Sequence, residues 1–215
     1  MNSLTYDYRT LRIARGGWPA FAASMHSAAG AALHDARGSL FGLFTGMIGL
    51  ANDEGVAITA WPDAEAPAAH AARIAAAAGA MESSGERLLA TVRPIDATPP
   101  REPGVYAHRW FWLQPQDWTE FLSLSEGGVW PYFESDGCRI IGLWRSMEPG
   151  PIARALLITR YPSVAHWERT RLQSPEPPPG ADERLYQAAR SAGRRRAEIT
   201  ERSIVRLTRL VEAPR

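Results

Sequence analysis

One imidazole and two guanidinium groups carry most of the chemistry this sequence could do. His108 lies in the run Tyr106-Ala107-His108-Arg109-Trp110-Phe111-Trp112, and an imidazole titrates near neutral pH, where it can take up and return a proton. Arg109 beside it could hold a carboxylate, phenolate or enolate with its planar fork of donors. Arg9, in Tyr6-Asp7-Tyr8-Arg9, is the matching residue one hundred positions earlier. Tyr6, Tyr8, Tyr106, Trp110, Trp112 and Trp144 offer large flat faces to an aromatic ligand. The expected site therefore has His108 as general base, Arg109 and Arg9 as anion stabilisers, and these six aromatics as walls. Each residue also has a plainer reading: a hydrogen-bonded structural histidine, an ion pair of Arg9 with Asp7, and ordinary core packing for the rings.

The elements that must position these groups come in two copies. With residue n laid over residue n+100, Tyr6 meets Tyr106, Arg9 meets Arg109, Trp18 meets Trp118, Phe21 meets Phe121, Gly42-Leu43 meets Gly142-Leu143, Ile58-Thr59 meets Ile158-Thr159 and Pro62 meets Pro162, all without a gap. A period this long means a duplicated domain rather than a solenoid, whose repeats run to ~20 to 50 residues. The pattern predicts strands over Leu4 to Ile13 and Val105 to Leu113, each followed by a helical stretch, Gly17 to Asp35 in the first copy and one broken at Gly127-Gly128 and Pro131 in the second. Strands are expected next at Ser39 to Ile48 with Val56 to Trp61, and at Arg139 to Met147 with Ala155 to Tyr161. The corners Trp61-Pro62-Asp63 and Tyr161-Pro162-Ser163 each supply an N-cap for a second helix. A last strand is expected at Leu88 to Ile95 and, after a Pro-rich insertion near 173–181, at Ser203 to Val211. An offset of 115 is expected there.

This order is β-α-β-β-α-β twice, the ferredoxin-like unit. The expected division is a first repeat over 1–96, a Pro-rich linker over 97–104 and a second repeat over 105–215. Each unit leaves one sheet face bare, so the two faces should meet and form an α/β barrel within one chain, with the helices outside. Strand alternation places Tyr106, His108, Trp110 and Trp112 on one face and Ala107, Arg109, Phe111 and Leu113 on the other. The first set suits the lumen and the second suits packing beneath helices.

Composition narrows the partners. The 215 residues carry a formal net charge of +1, which gives no general attraction to nucleic acid or anionic lipid. All 24 basic residues are arginine, so a lysine Schiff base is ruled out. Cys138 is the sole cysteine, which excludes an intramolecular disulfide and any cysteine-built metal centre. A cytoplasmic protein with no metal site is expected, since Asp7, Arg9, Arg12 and Arg15 interrupt any secretory core near the start. Leu40 to Ala51 is too short to span a bilayer. Arg194-Arg195-Arg196 lies among glutamates and reads as a solvated helix face.

Tyr6-Asp7-Tyr8-Arg9-Thr10, Gly16-Gly17, Gly42-Leu43-Phe44, Ile48-Gly49 and the Trp61-Pro62-Asp63 corner together resemble the NIPSNAP domain of the dimeric α/β-barrel superfamily, and the second copy is similar. The second copy departs at Ala107, where the first has Asp7, so the halves should not be equivalent. The resemblance implies a small-molecule site in the barrel. The favoured reading is an enzyme acting on an aromatic or polyketide-like compound without a cofactor, by proton transfer (isomerase, cyclase or dehydratase) or by oxygenation. A noncatalytic ligand-binding or assembly protein is the alternative. A heme-binding protein is third, because some members of the superfamily hold heme, although no local heme-attachment motif occurs. A homo-oligomer is compatible with all three.

Overall fold

The computed structural model describes residues 4–212. Eight antiparallel strands close into a barrel in the order β1-β3-β2-β8-β5-β7-β6-β4. The strands are β1 (Thr5–Ile13), β2 (Ser39–Ile48), β3 (Glu54–Trp61), β4 (Ala80–Ala90), β5 (Val105–Leu113), β6 (Arg139–Ser146), β7 (Ala153–Tyr161) and β8 (Thr200–Leu210). Within each half the pairing repeats: Thr5 faces Trp61 on β3 as Val105 faces Tyr161 on β7. The irregularity between Leu40 and Gly42 recurs between Ile140 and Gly142. Two shorter ladders, β2 with β8 and β4 with β6, join the halves.

The inner face is a packed core. Tyr6, Tyr8, Phe41, Phe44, Tyr106, Trp110 and Trp144 form one buried cluster with the aliphatic residues of β3 and β7. Their rings meet edge to face, Tyr6 with Phe41 at 5.4 Å and with Trp144 at 5.6 Å, and Tyr8 with Trp110 at 5.4 Å, the geometry aromatic quadrupoles favour. The open lumen expected from strand alternation is thus taken up by side chains. Tyr6, Tyr8, Tyr106, Trp110 and Trp144, expected as ligand walls, are members of this packed cluster. Trp112, only partly buried, packs against the same cluster near its edge.

The helices cover the outer faces. In the first half α1 (Trp18–Met25), α2 (Ala28–Asp35) and α3 (Ala66–Ala77) lie over β1, β2 and β3 and bury Phe21, Leu33 and Ile74 with Trp61. In the second half α4 (Trp118–Ser123) and α5 (Trp130–Ser135) are joined by a π-helical turn, and α6 (Val164–Arg169) precedes α7 (Glu183–Glu198).

Three expectations about the elements change. The first helical stretch, expected to run unbroken, splits at Ser27, whose backbone leaves the helical region (φ −129°, ψ −105°). The second, expected to break, continues, because a π-turn over Leu124–Val129 absorbs Gly127-Gly128, and Pro131 falls in the first turn of α5, where its missing N–H costs nothing. The last strands begin earlier than expected, and Gly85 and Val205 face Arg9 and Arg109, an offset of 120 rather than 115. Ser163 does cap α6 by accepting from the His166 N–H at 3.1 Å. Asp63 caps no helix and accepts from the Glu65 N–H at 2.9 Å in a turn before α3.

Candidate functional site

His108 sits in the barrel core with 0% of its surface exposed. Its Nδ1 lies 3.2 Å from the Tyr8 hydroxyl, and its Nε2 lies 3.2 Å from Thr208 Oγ1. Burial, with Arg206 nearby, lowers its pKa to about 3. The imidazole is neutral across the physiological range and shut off from solvent by Phe44, whose ring centroid is 4.7 Å away. These contacts fit the plainer reading of a hydrogen-bonded core histidine, and they lend no support to the expected role as general base.

Arg9 points away from the barrel interior. Its Nε and Nη2 donate to the two oxygens of Asp7 at 2.9 and 3.0 Å, and Nη1 donates to Ser83 at 3.2 Å. Gly85 makes this fork possible, since a Cβ there would lie 2.3 Å from Arg9 Nη2 and 2.6 Å from Asp7 Oδ1. Asp7 and Arg9 are both buried, and each neutralises the other. Arg9 is therefore spoken for, correcting its expected role toward a ligand anion.

Arg109 has the same position on β5 but a different environment. Ala107 stands where Asp7 does, Val205 where Gly85 does and Tyr161 where Trp61 does. In the first half Trp61 fills the space under the helices and donates from Nε1 to Thr59 at 2.8 Å. In the second half, with Ala107 smaller than Asp7 and Tyr161 smaller than Trp61, a cavity of about 600 Å³ lies between the sheet and the helices, beside the segment between α6 and α7. Arg109, Phe111, Trp130, Tyr161, Trp167 and Arg196 are among its walls.

Arg196 is the second cation there, and it is buried where Arg109 is half-buried. It is 7% exposed, and its guanidinium carbon lies 4.9 Å from the centre of the Phe111 ring and 4.6 Å from that of Phe121. Its Nε has no hydrogen-bond partner. Among the described residues, no carboxylate reaches ion-pair distance of Arg109 or Arg196. Burial lowers the pKa of both; for Arg196 burial and the neighbouring Arg109 bring it to about 9, and for Arg109 nearby Arg171 adds to the effect. Tyr161, 6% exposed on the same wall, has its phenol pushed up by burial and pulled back partly by Arg109 and Arg196. Two positive groups desolvated side by side are costly unless an anion joins them.

Of the expected site residues, the structure places Arg109 alone at this cavity. Arg196 was missed because the run Arg194-Arg195-Arg196 reads as solvated; Arg195 does pair with Glu120 at 2.6 Å on the surface, while Arg196 turns inward. The signal available beforehand was the loss of Asp7's counterpart at Ala107.

The superfamily's heme raises the question of fit. Among the described residues, no histidine, cysteine or methionine lines the cavity, and of the axial ligands that heme iron takes, Tyr161 alone is on its wall. His166, on α6 beside the cavity residue Trp167, is turned to Asp136 with Nε2 3.1 Å from its carboxylate. Cys138 is buried elsewhere, against Tyr161 and Leu207. The lining does not fit a heme held by histidine or cysteine. No group of three or more metal-ligating side chains occurs among the described residues, and no helix among them is long and apolar enough to cross a membrane.

No family model matches the chain, and no curated protein matches it. Solved structures do. An anthrone oxidase-like protein superposes with a TM-score of 0.62 at 13% identity, over 99% of this chain and 92% of that one. A proposed monooxygenase from Lactobacillus acidophilus NCFM gives 0.59 at 10% identity, over 99% and 95%. A mutant chlorite dismutase from Candidatus Nitrospira defluvii gives 0.60 at 8% identity, over 99% and 92%. The chain has the dimeric α/β-barrel fold. At these identities the likeness shows the fold alone, and the expected resemblance to the NIPSNAP domain is matched in fold and no further.

Proposed function

We propose that this protein binds an anionic, flat small molecule in the cavity beneath α7 and stabilises its negative charge with Arg109 and Arg196. The observation that carries this reading is the half-buried Arg109 and the buried Arg196 with no carboxylate at ion-pair distance among the described residues, set among Phe111, Trp130 and Trp167. An enolate or phenolate fits such a place: its charge is spread over a ring system, and fixed positive charges partly withdrawn from water favour the ionised form. The activity that follows is enolate or phenolate chemistry on an aromatic or polyketide-like compound, by isomerisation or by cofactor-independent oxygenation.

The two halves read as diverged copies of one NIPSNAP-like unit. Shared register supports this, and the exchange of Asp7 for Ala107 frees one arginine for the ligand. A second reading, ligand binding without turnover, is favoured by one observation: no imidazole lines the cavity.

A nitrophenol tests the binding, because its ionised form absorbs visible light. The wild-type protein should lower the apparent pKa of the bound phenol, and Arg109→Leu or Arg196→Met should remove the shift. Oxygen uptake with enolisable aromatic compounds then separates enzyme from binder. A nitrophenol spectrum unmoved by excess protein would contradict the reading.

A further inference from the structure

We propose a second anion subsite at the mouth of this cavity, built by Arg190 and Arg194 on α7 with Arg171 opposite, so that the ligand carries a negative group at each end of its flat body. The inference rests on the inner site formed by Arg109 and Arg196 and extends it outward. Arg171, Arg190 and Arg194 line the same cavity as the inner pair, and among the described residues Glu201 is the one carboxylate of its lining. Glu201 is already engaged, accepting from the side-chain amide of Gln114.

Arg190, Gly193, Arg194 and Ala197 recur at helical spacing, which turns one face of α7 toward the cavity. Among the described residues neither Arg190 nor Arg194 has a carboxylate within ion-pair distance. The opposite rim is held by stacking: Arg171 lies 5.3 Å from the Trp167 ring centre. Arg171 has only a loose pairing with Glu168, at 3.9 Å. The mouth therefore presents three cations, Arg171 and Arg194 exposed and Arg190 half-buried, outside the buried Arg196, with Phe111, Trp130 and Leu157 among the apolar wall residues. That gradient suits an aromatic dianion, one charge desolvated on the floor and one left near water.

Calorimetric titration with naphthalene-2-carboxylate and naphthalene-2,6-dicarboxylate tests this. Wild-type protein should bind the dicarboxylate about tenfold more tightly, and Arg190→Ala/Arg194→Ala should erase that preference while changing the monocarboxylate less than about twofold. Equal wild-type affinities for the two compounds would overturn the outer subsite and leave the inner one standing. Equal weakening of both compounds in the double variant would overturn it too, as a general field effect. Failure of either compound to bind wild-type protein would overturn the inner site and with it this extension.

Discussion

Arg9 and Arg109 hold equivalent places on the first strands of the two halves, yet Asp7 grips Arg9 with two hydrogen bonds while Arg109 faces a cavity with Ala107 where that carboxylate would be. The same backbone thus carries a closed ion pair in one half and an open cationic wall in the other.

The two arginines should respond oppositely to removal. Arg9→Leu strands the Asp7 carboxylate, already pushed up by burial, and should cost about 3–5 kcal/mol of stability. Arg196→Met relieves a buried charge without orphaning a partner, and should leave the ligand-free protein as stable or more stable by about 1–2 kcal/mol. Denaturant unfolding of both variants provides the check. A large loss in Arg196→Met would show that its charge is satisfied within the protein.

Restoring the missing acid should close the site. Ala107→Asp alone would place a carboxylate against Val205, whereas Gly85 leaves that space free in the first half. The double variant Ala107→Asp/Val205→Gly should be more stable than Ala107→Asp and should bind aryl anions at least about tenfold more weakly than wild type. Comparison of unfolding midpoints and calorimetric affinities decides it.

The strand pattern was readable because burial of one sheet face imposes a period of two, and the repeat showed where each period begins. Alternation pointed Tyr106, His108 and Trp110 inward, where they lie. It could not say whether the interior would be hollow, since that depends on how rings from distant strands interlock. Nor could the α7 pattern separate Arg196 from Arg195. Adjacent helical residues lie about 100° apart around the axis, and only tertiary packing says which of them meets Phe111 and Phe121. The clue with physical content was an asymmetry between repeats, an arginine kept at 109 and its acid lost at 107.

His108 should make the fold acid-sensitive. Its pKa falls from the ordinary 6.5 to about 3 in the folded chain, so between these values the unfolded chain binds the extra proton. Stability then decreases as pH drops from about 6.5 toward 3, by a few kcal/mol in all. His108→Gln has no such proton, and the stability gap between wild type and this variant should shrink over that window. A gap that stays constant from pH 7 to 4 would mean that His108 titrates normally.

Anion binding should fail at high pH. The Arg196 guanidinium loses its proton near pH 9 in the ligand-free protein. The ligand itself opposes that loss, so affinity for an aryl carboxylate should fall above about pH 9 and stay flat from 6 to 8. Over the same alkaline range the ligand-free protein should gain stability, because the folded chain then holds fewer protons than the unfolded one. Affinity rising with pH instead would assign the site to another group.

A crystal structure of the protein with naphthalene-2-carboxylate tests the central claim most directly. The carboxylate should lie within about 2.7–2.9 Å of guanidinium nitrogens of both Arg109 and Arg196, with the rings against Phe111 or Trp130. A ligand seated instead inside the barrel beside Tyr8 and His108 would contradict the account.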